Sequence, residues 1–217
     1  MLEVEKKSTS IIAESFRKLK TNIQYSSLDK KCKVIAITSS KPGEGKTFVS
    51  SNLALTLSEG NRKVILIDCD FRNPNIHRKF NISNITGLSE TLLDKENFNI
   101  AIRKYSENFV IITSGNMPPN PSETLASERM AEFLEELKEK YDYIILDTPP
   151  LLVVSDPQVI SIKADGTILV VRVGNTKKYE IQESYKILKS INANVVGTIL
   201  NGMKNEDKKY YGKYYVK

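Results

Sequence analysis

The chain has 217 residues, 40% of them hydrophobic, which is enough to bury one full hydrophobic core. It has no run of about 18 apolar residues, and its first residues, MLEVEKKSTS, lack the apolar stretch of a signal peptide, so a cytoplasmic protein is expected. Its net charge of +6 is spread along the chain without a stripe of basic and aromatic residues, so nucleic acid is not an expected partner.

In chain order, the first predicted element is a helix near residues 10–26, which the sheet itself does not require. Six runs rich in Val and Ile follow, and their nearly continuous apolar character is typical of strands buried on both faces. The runs are residues 34–38, 64–68, 109–113, 143–147, 167–173 and 195–201. Helical patterns are clearest at 122–141, with Ser122 as a candidate N-cap, and at 179–191. The alternation predicts an α/β fold, a mostly parallel sheet with helices on both faces, in a single domain over residues 1–202.

Histidine and cysteine contribute no candidate site. The single histidine, His77, is expected at the surface and argues against chemistry that needs a histidine base or a histidine-bound metal. Cys32 and Cys69 lie beside predicted buried strands and do not form a CxxC pair. They are therefore expected to be small core residues.

The segment SSKPGEGKTF, after the first predicted strand, has the residues of a phosphate-binding loop. Gly43 and Gly45 allow backbone N–H groups to turn toward phosphate oxygens at the start of a helix, where the dipole favours negative charge. Lys46 is expected to contact the β- and γ-phosphates of ATP, and the Thr47 hydroxyl to bind Mg²⁺. Ser40 replaces the first glycine of the usual pattern, so a simple glycine-rich turn is the alternative. The predicted nucleotide-binding residues of the loop are Pro42, Gly43, Glu44, Gly45, Lys46, Thr47 and Phe48.

Three acidic residues follow predicted strands at the carboxyl ends, the edge where open α/β sheets bind ligands. Asp68 and Asp70 end the segment VILIDCD, and Asp147 ends YIILD in the position of a Walker B acid. One such acid alone would be an ordinary loop residue. Together with the phosphate loop, they predict a magnesium site that includes Thr47, Asp70 and Asp147.

The segment DCDFRNP, from Asp68 to Pro74, resembles the second Walker A-type motif of the bacterial tyrosine kinases, the BY-kinases. The order SSKPGEGKT, ILIDCDFRNP, IILDTPP and a tyrosine-rich C-terminus is similar to that family over essentially the whole chain. The resemblance implies a P-loop NTPase-like fold and an ATP- and Mg²⁺-dependent tyrosine kinase of capsule or exopolysaccharide systems. It also implies that Asp68 is either the catalytic base or an organiser of the metal, that Lys46 acts on the phosphates, and that Asp70 and Asp147 support Mg²⁺. A phenol, with an unperturbed pKa of about 10, benefits from such a proton acceptor.

The end of the chain contains tyrosines among lysines, namely Tyr210, Tyr211, Tyr214 and Tyr215. Residues 203–217 are polar and lack an apolar period, so a flexible tail is expected. Given the kinase resemblance, these tyrosines are the predicted phosphoacceptors, presented to a neighbouring subunit. Each phosphate adds about −1.5 to −2 charges, so phosphorylation is expected to loosen a self-associated assembly.

Glu14, Arg17 and Lys20 recur every three residues in the first predicted helix and share one of its faces. Such a stripe is ordinarily solvated. The resemblance implies instead that this face joins unphosphorylated subunits into a ring-like homo-oligomer, although arginine is usual at the position of Lys20. The resemblance further implies a separate membrane-anchored activator protein, which would hold the chain at the inner face of the membrane without its entering the bilayer.

Two residues leave alternatives open. Asn201, at the end of the last predicted strand, either hydrogen-bonds the adenine or forms a turn before Gly202. Lys41 is either an exposed loop lysine or the counterpart of the signature lysine of the partitioning ATPases, which acts across a dimer. The alternative function is therefore a partitioning-type P-loop ATPase switch without tyrosine kinase activity.

Overall fold

The protein is built on one seven-stranded sheet in a computed structural model, which describes residues 2–6, 9–25 and 32–203. The strands are β1 (Val34–Ser39), β2 (Val64–Asp68), β3 (Ile102–Lys104), β4 (Phe109–Ile112), β5 (Tyr143–Asp147), β6 (Gly166–Arg172) and β7 (Val195–Asn201). They lie in the order β3-β4-β2-β5-β1-β6-β7. Every neighbouring pair is parallel except β3 and β4, which are antiparallel.

The helices cover the sheet on both faces. They are α1 (Glu3–Lys6), α2 (Ile11–Tyr25), α3 (Lys46–Ser58), α4 (Ile76–Phe80), α5 (Leu88–Leu93), α6 (Asn97–Ala101), α7 (Pro121–Ala126), α8 (Glu128–Lys140), α9 (Asp156–Lys163) and α10 (Lys178–Ser190). One buried cluster joins the sheet to α1, α2, α3 and α4, and a second joins it to α5, α6, α7, α8 and α9. The predicted α/β architecture with a mostly parallel sheet is thus confirmed.

The central strands explain why the sequence pattern identified them. All of β1, β2 and nearly all of β5 are buried, so their runs contain apolar residues at consecutive positions. Successive side chains of a strand point to opposite faces. Accordingly, Ile35 and Ile37 belong to the first cluster, whereas Val34 and Ala36 belong to the second.

The helix predicted over residues 122–141 is instead two helices, α7 and α8, and the prediction of Ser122 as an N-cap is wrong. Ser122 lies inside α7, whose N-cap position is Asn120. The break falls at Ser127, whose extended backbone (φ −56°, ψ 155°) lets its Oγ accept a hydrogen bond from the Met130 N–H at 3.1 Å. A serine that bonds a free backbone amide favours the start of a new helix over continuation of the old one.

Other differences are small. The sequence pattern missed β3, a short edge strand with the sequence IRK that pairs Ile102 with Ile112 of β4. Cys32 and Cys69 are free and buried, as expected. His77 is partly buried rather than fully at the surface, since α4 packs beside the sheet. Among the described residues, no helix combines the length and apolar character needed to cross a membrane.

Candidate functional site

The phosphate loop lies between β1 and α3, and its geometry requires glycine at two positions. Gly43 and Gly45 have φ angles of 79° and 95°, in the left-handed region that favours glycine. A Cβ on Gly45 would also lie 2.0 Å from Nδ2 of Asn201, so a side chain has no room there. Lys46 is the first residue of α3, which places the free N–H groups of the first helical turn beside this loop.

A cavity of about 320 Å³ beside the loop brings together three separate segments of the chain. Its residues from the loop are Pro42, Gly43, Gly45, Lys46, Thr47 and Phe48. Asp70 and Arg72 come from the segment after β2, and the apolar residues Pro149, Pro150 and Val153 come from the segment after β5. The cavity therefore combines cationic, anionic and apolar walls at the carboxyl edge of the sheet.

Glu44, which the sequence grouped with the nucleotide-binding residues, does not line this cavity. Its side chain is buried and accepts a hydrogen bond from the Lys41 N–H at 3.2 Å, and it also binds the Thr176 hydroxyl. Lys41 is in turn paired with Glu180 at 3.0 Å, at the start of α10. The side chain of Glu44 therefore fixes the loop to the segment before α10, and Lys41 is bound within its own chain.

Asp147 is buried and is not among the residues that line the cavity, but it is hydrogen-bonded to Thr47, which is. The Thr47 hydroxyl donates to Oδ2 of Asp147 at 2.6 Å, whereas the buried Oδ1 has no hydrogen-bond partner within residues 2–6, 9–25 and 32–203. Burial raises the pKa of Asp147 to about 6, although the Thr47 hydroxyl and the Lys46 charge act to lower it. A buried carboxylate oxygen without a partner, next to a hydroxyl, is a suitable place for a hard cation.

Asp68 is fully buried and its carboxylate binds backbone amides of the segment that follows β2. Oδ1 accepts from the Asp70 N–H at 3.1 Å, and Oδ2 accepts from the N–H groups of Asn75 and Ile76 at 3.1 and 3.0 Å. Burial, followed by repulsion from the neighbouring Asp147, raises the pKa of Asp68 well above its usual range. Asp68 shapes this segment and is not among the residues that line the cavity.

Asp70, unlike Asp68, lines the cavity. It is 7% exposed, and Oδ1 accepts from the Asn73 N–H at 2.9 Å. Burial raises its pKa, while that hydrogen bond and the Lys46 charge oppose the rise. Among the described residues, no three histidine, cysteine, aspartate or glutamate side chains are grouped so as to hold a metal by themselves. A magnesium ion at this site would therefore take few ligands from the protein and the others from phosphates and water.

A second and larger cleft, of about 650 Å³, lies between α2 and the end of β7. Phe48 lines both this cleft and the first cavity, so the two hollows are adjacent. Asn201, the last residue of β7, lines the cleft and donates from Nδ2 to the Glu44 carbonyl at 2.9 Å. Its side chain thus contacts the phosphate loop, and the backbone turn with positive φ falls on Gly202 instead.

Sequence reasoning missed an ion pair at the rim of the cavity between a buried carboxylate, Asp156, and a partly exposed arginine, Arg72. The sequence places Arg72 in the segment DCDFRNP without indicating a role for it, and no motif includes Asp156. Asp156 is fully buried at the start of α9 and binds both Nε and Nη2 of Arg72, at 2.8 and 3.3 Å. The sequence SDP indicates a helix start, but nothing local shows that its carboxylate meets an arginine 84 positions earlier.

The predicted interface residues do not share one environment. Arg17 and Glu14 form a partly exposed ion pair at 3.2 Å on α2, and Glu14 also lines the second cleft. Lys20 instead donates from Nζ to the carbonyls of Thr56 and Glu59, at 2.9 and 2.8 Å. Its charge therefore stabilises the carboxyl end of α3 within the same chain. The predicted phosphoacceptors Tyr210, Tyr211, Tyr214 and Tyr215 lie outside the described residues.

Comparison with known proteins shows a consistent set of relatives. A family model described as an AAA domain matches residues 32–199. The tyrosine-protein kinase YwqD of Bacillus subtilis (strain 168) is 38% identical over 206 residues, which is 94% of this chain and 87% of YwqD. The solved kinase domain of the Escherichia coli tyrosine kinase ETK is 39% identical with a TM-score of 0.84, over 88% of this chain and 75% of that one. A solved chimerical protein, CapA2B2, is 34% identical with a TM-score of 0.89, over 93% of this chain and 89% of that one.

Proposed function

The chain belongs to the bacterial tyrosine-protein kinases, within the AAA-domain family, and from this premise we propose that it uses Mg²⁺ and ATP to phosphorylate its own C-terminal tyrosines. The proposed acceptors are Tyr210, Tyr211, Tyr214 and Tyr215. Following the resemblance of its motifs, we propose that this reaction regulates the production of a capsular or exopolysaccharide polymer.

The observation that carries the nucleotide part of the proposal is the contact between Thr47 and Asp147. A hydroxyl directly after the loop lysine, bound to a carboxylate whose other oxygen is buried without a partner, suits a cation that also binds phosphate oxygens. When bound, Mg²⁺ would neutralise charge on the β- and γ-phosphates. Asp70, on the wall of the same cavity, is the proposed third contributor through its carboxylate or a bound water.

The two adjacent hollows accommodate the two ends of a nucleotide. The first has Lys46, the loop amides and the start of α3, all of which favour phosphate. The second is lined by Phe48 and Asn201, an aromatic ring and an amide, which are groups that can contact a base. We therefore propose that Asn201 contacts the adenine. The triphosphate would then lie beside Pro42, Gly43 and the residues up to Thr47.

Removal of the proton from the tyrosine hydroxyl is assigned to the carboxylates after β2. Asp68 is the predicted base, and its raised pKa suits a proton acceptor. Three backbone N–H groups occupy its oxygens in this structure, whereas Asp70 lines the cavity. Asp70 is thus the alternative acceptor, and substitution of each residue separates the two roles.

Self-association and membrane attachment complete the proposal. We propose that unphosphorylated chains form a ring-like homo-oligomer with Glu14 and Arg17 at its contacts. Lys20 would support these contacts indirectly, by holding α2 against the carboxyl end of α3. A separate membrane-anchored activator would hold this cytoplasmic assembly at the inner face of the membrane. Residues 203–217, if extended, reach roughly 50 Å, which is far enough to enter the cavity of a neighbouring subunit.

Substitution of Lys46 by Met tests the kinase assignment. Because Lys46 provides positive charge at the phosphates, its loss is expected to lower tail phosphorylation by about a hundredfold or more. Phosphotyrosine in residues 203–217 is measured by mass spectrometry after incubation with Mg·ATP. Lys186→Met, on the exposed side of α10, is the matched control and should behave like the wild type.

Mixed chains test whether transfer occurs between subunits. A Lys46→Met chain is incubated with an otherwise wild-type chain whose four tail tyrosines are replaced by phenylalanine. Phosphotyrosine on the Lys46→Met chain is the expected result, because only the partner chain can have transferred it. ATP hydrolysis by the wild type without any phosphotyrosine would instead support the switch and contradict the proposal.

A further inference from the structure

The ion pair between Arg72 and Asp156 stands at the rim of the cavity that contains Lys46. We propose that Arg72 contacts the phosphoryl group as it is transferred to tyrosine, and that Asp156 and Ser122 are positioning residues that orient Arg72. This inference rests on the proposed function of the cavity. The residues that orient Arg72, Asp156 at the start of α9 and Ser122 at the start of α7, belong to none of the phosphate-binding segments.

The geometry of the pair fixes the guanidinium in one orientation. Oδ2 of Asp156 accepts from Nε of Arg72 at 2.8 Å, and Oδ1 accepts from Nη2 at 3.3 Å. Two parallel hydrogen bonds of this kind set the plane of the guanidinium as well as its position. The hydroxyl of Ser122 binds the same Oδ1, and it also lies 2.9 Å from the Ser155 hydroxyl. Ser122 therefore binds one oxygen of the same carboxylate that binds Arg72, and Ser155 contacts Ser122 in turn.

The pair leaves part of the guanidinium available to a ligand. Arg72 has five N–H donors, and Asp156 accepts from two of its nitrogens. Nη1 makes no hydrogen bond with any residue in the part of the chain that the structure describes. The Arg72 side chain is 40% exposed and Arg72 lines the cavity, whereas the Asp156 side chain has no exposure, so a ligand in the cavity can approach Arg72 without displacing Asp156.

Stability alone is a weak explanation for this arrangement. Taking a carboxylate out of water is costly, and an ion pair with an arginine that is 40% exposed is screened by water and offsets only part of that cost. Asp156 is nevertheless completely buried with an arginine that reaches a cavity. An arginine at that rim, opposite a phosphate loop and its lysine, matches the positive clamps that stabilise phosphoryl transfer.

Phosphoryl transfer to tyrosine exchanges one phosphorus–oxygen bond for another. The bond between the γ-phosphorus and the β–γ bridging oxygen of ATP breaks, and a bond between that phosphorus and the phenolic oxygen of tyrosine forms. ADP leaves with the bridging oxygen and its electron pair, and the phenolic proton passes to a carboxylate after β2. During this step, the negative charge on the three equatorial oxygens of the transferred phosphoryl group lies between Lys46 and Arg72. Because Arg72 is fixed in the place where this charge develops, it lowers the barrier to transfer more than it strengthens the binding of ATP.

Conservative variants test the inference in the full chain. Arg72→Lys keeps the charge paired with Asp156 but loses the planar fork, and Asp156→Asn removes the charge that orients the fork. Transfer is measured to Lys46→Met chains as acceptors, and binding of Mg·ADP with and without aluminium fluoride is measured by calorimetry. We expect kcat to fall by about a hundredfold for Arg72→Lys and about tenfold for Asp156→Asn. Mg·ADP affinity should stay within about threefold, and the extra affinity conferred by aluminium fluoride should be lost.

Controls separate this inference from a structural role and from the proposed function. Arg62→Lys, in an exposed pair with Asp142, should leave every measured quantity unchanged. The double variant Arg72→Met with Asp156→Leu leaves no unpaired buried charge, so it separates folding from transfer. Wild-type kcat in any of the three variants, or an equal fall in kcat and Mg·ADP affinity, would overturn the inference. A wild type that forms no phosphotyrosine would overturn the proposed function instead.

Discussion

Replacing Asp147 by Asn is expected to make the protein more stable at neutral pH and less dependent on pH. Asp147 is a buried carboxylate with one oxygen bound to Thr47 and the other without a partner among the described residues. Without Mg²⁺, ionisation of this group is opposed by its burial. Asparagine keeps the size of the side chain and an oxygen for the Thr47 hydroxyl but carries no charge.

The magnitude follows from the pKa. Burial raises the pKa of Asp147 to about 6 from an ordinary 3.8. Because the folded protein holds this proton more tightly than the unfolded chain, its stabilisation is complete below about pH 4 and is lost as the pH rises through about 6. A difference of about two pH units corresponds to a total of about 3 kcal/mol in the free energy of unfolding. Roughly half of this, about 1–2 kcal/mol, is lost between about pH 5 and about pH 8.

Urea denaturation in EDTA provides the assay. The free energy of unfolding of Asp147→Asn minus that of the wild type should increase by about 1–2 kcal/mol from about pH 5 to about pH 8. Comparing the two proteins at each pH cancels the titration of shared groups that do not interact with Asp147. Asp68 is the exception, because the Asp147 charge raises its pKa, and loss of that repulsion changes the difference in the same direction. Asp142→Asn is the matched control, because this carboxylate precedes β5 at the surface and is paired with Arg62. The free energy of unfolding of Asp142→Asn minus that of the wild type should not change between about pH 5 and about pH 8.

Addition of Mg·ADP should reverse the order of stability. The wild type gains stability from a ligand that binds only the folded state, whereas Asp147→Asn offers the cation no charged oxygen at position 147 and leaves only Asp70. A difference between the two proteins that does not change with pH would refute the proposed burial of a charge at Asp147. Equal stabilisation of both proteins by Mg·ADP would refute its role beside the cation.

Further predictions concern the other carboxylates and the first helix. Asp68→Asn is expected to lower tail phosphorylation more than Mg·ATP affinity, measured by mass spectrometry and calorimetry, because the amide cannot accept a proton; equal losses would make Asp68 a binding residue. Asp70→Asn should weaken the Mg²⁺ dependence of ATP binding, and an unchanged dependence in the same titration would remove Asp70 from the metal site. Lys20→Met should lower the free energy of unfolding by about 1–2 kcal/mol, because two carbonyls at the end of α3 lose a charged donor. If light scattering shows a loss of self-association while the free energy of unfolding is unchanged, Lys20 contacts another subunit instead.

The sequence by itself determined the architecture and the place of the phosphate loop. Strands buried on both faces need apolar residues at consecutive positions, and that requirement is visible in runs such as 34–38 and 143–147 without any knowledge of their neighbours. Likewise, Gly43, Gly45 and Lys46 act through backbone conformation and helix geometry, which are local properties. The family follows from the order of these local segments, and the relatives confirm it.

The sequence could not determine which way each polar side chain turns. Asp68 and Asp70 are aspartates at the end of β2, separated by one residue, and the sequence does not distinguish them. In the structure, Asp68 binds three backbone amides, whereas Asp70 lines the cavity. Glu44 stands among nucleotide-binding residues but turns inward to Thr176. Lys20 fits the periodicity of an exposed stripe but bonds to the end of α3.

Only the tertiary structure decided the cases of Glu44 and Lys20, because each depends on partners far away in the chain, Thr176 for Glu44 and Thr56 and Glu59 for Lys20. Arg72 and Asp156 are 84 positions apart, and Thr47 and Asp147 are 100 apart. A parallel sheet brings such residues together by placing the carboxyl ends of its strands at one edge. Hydrogen bonds and burial at that edge then fix the rotamer and the pKa of each group, and neither is encoded in the residues next to it.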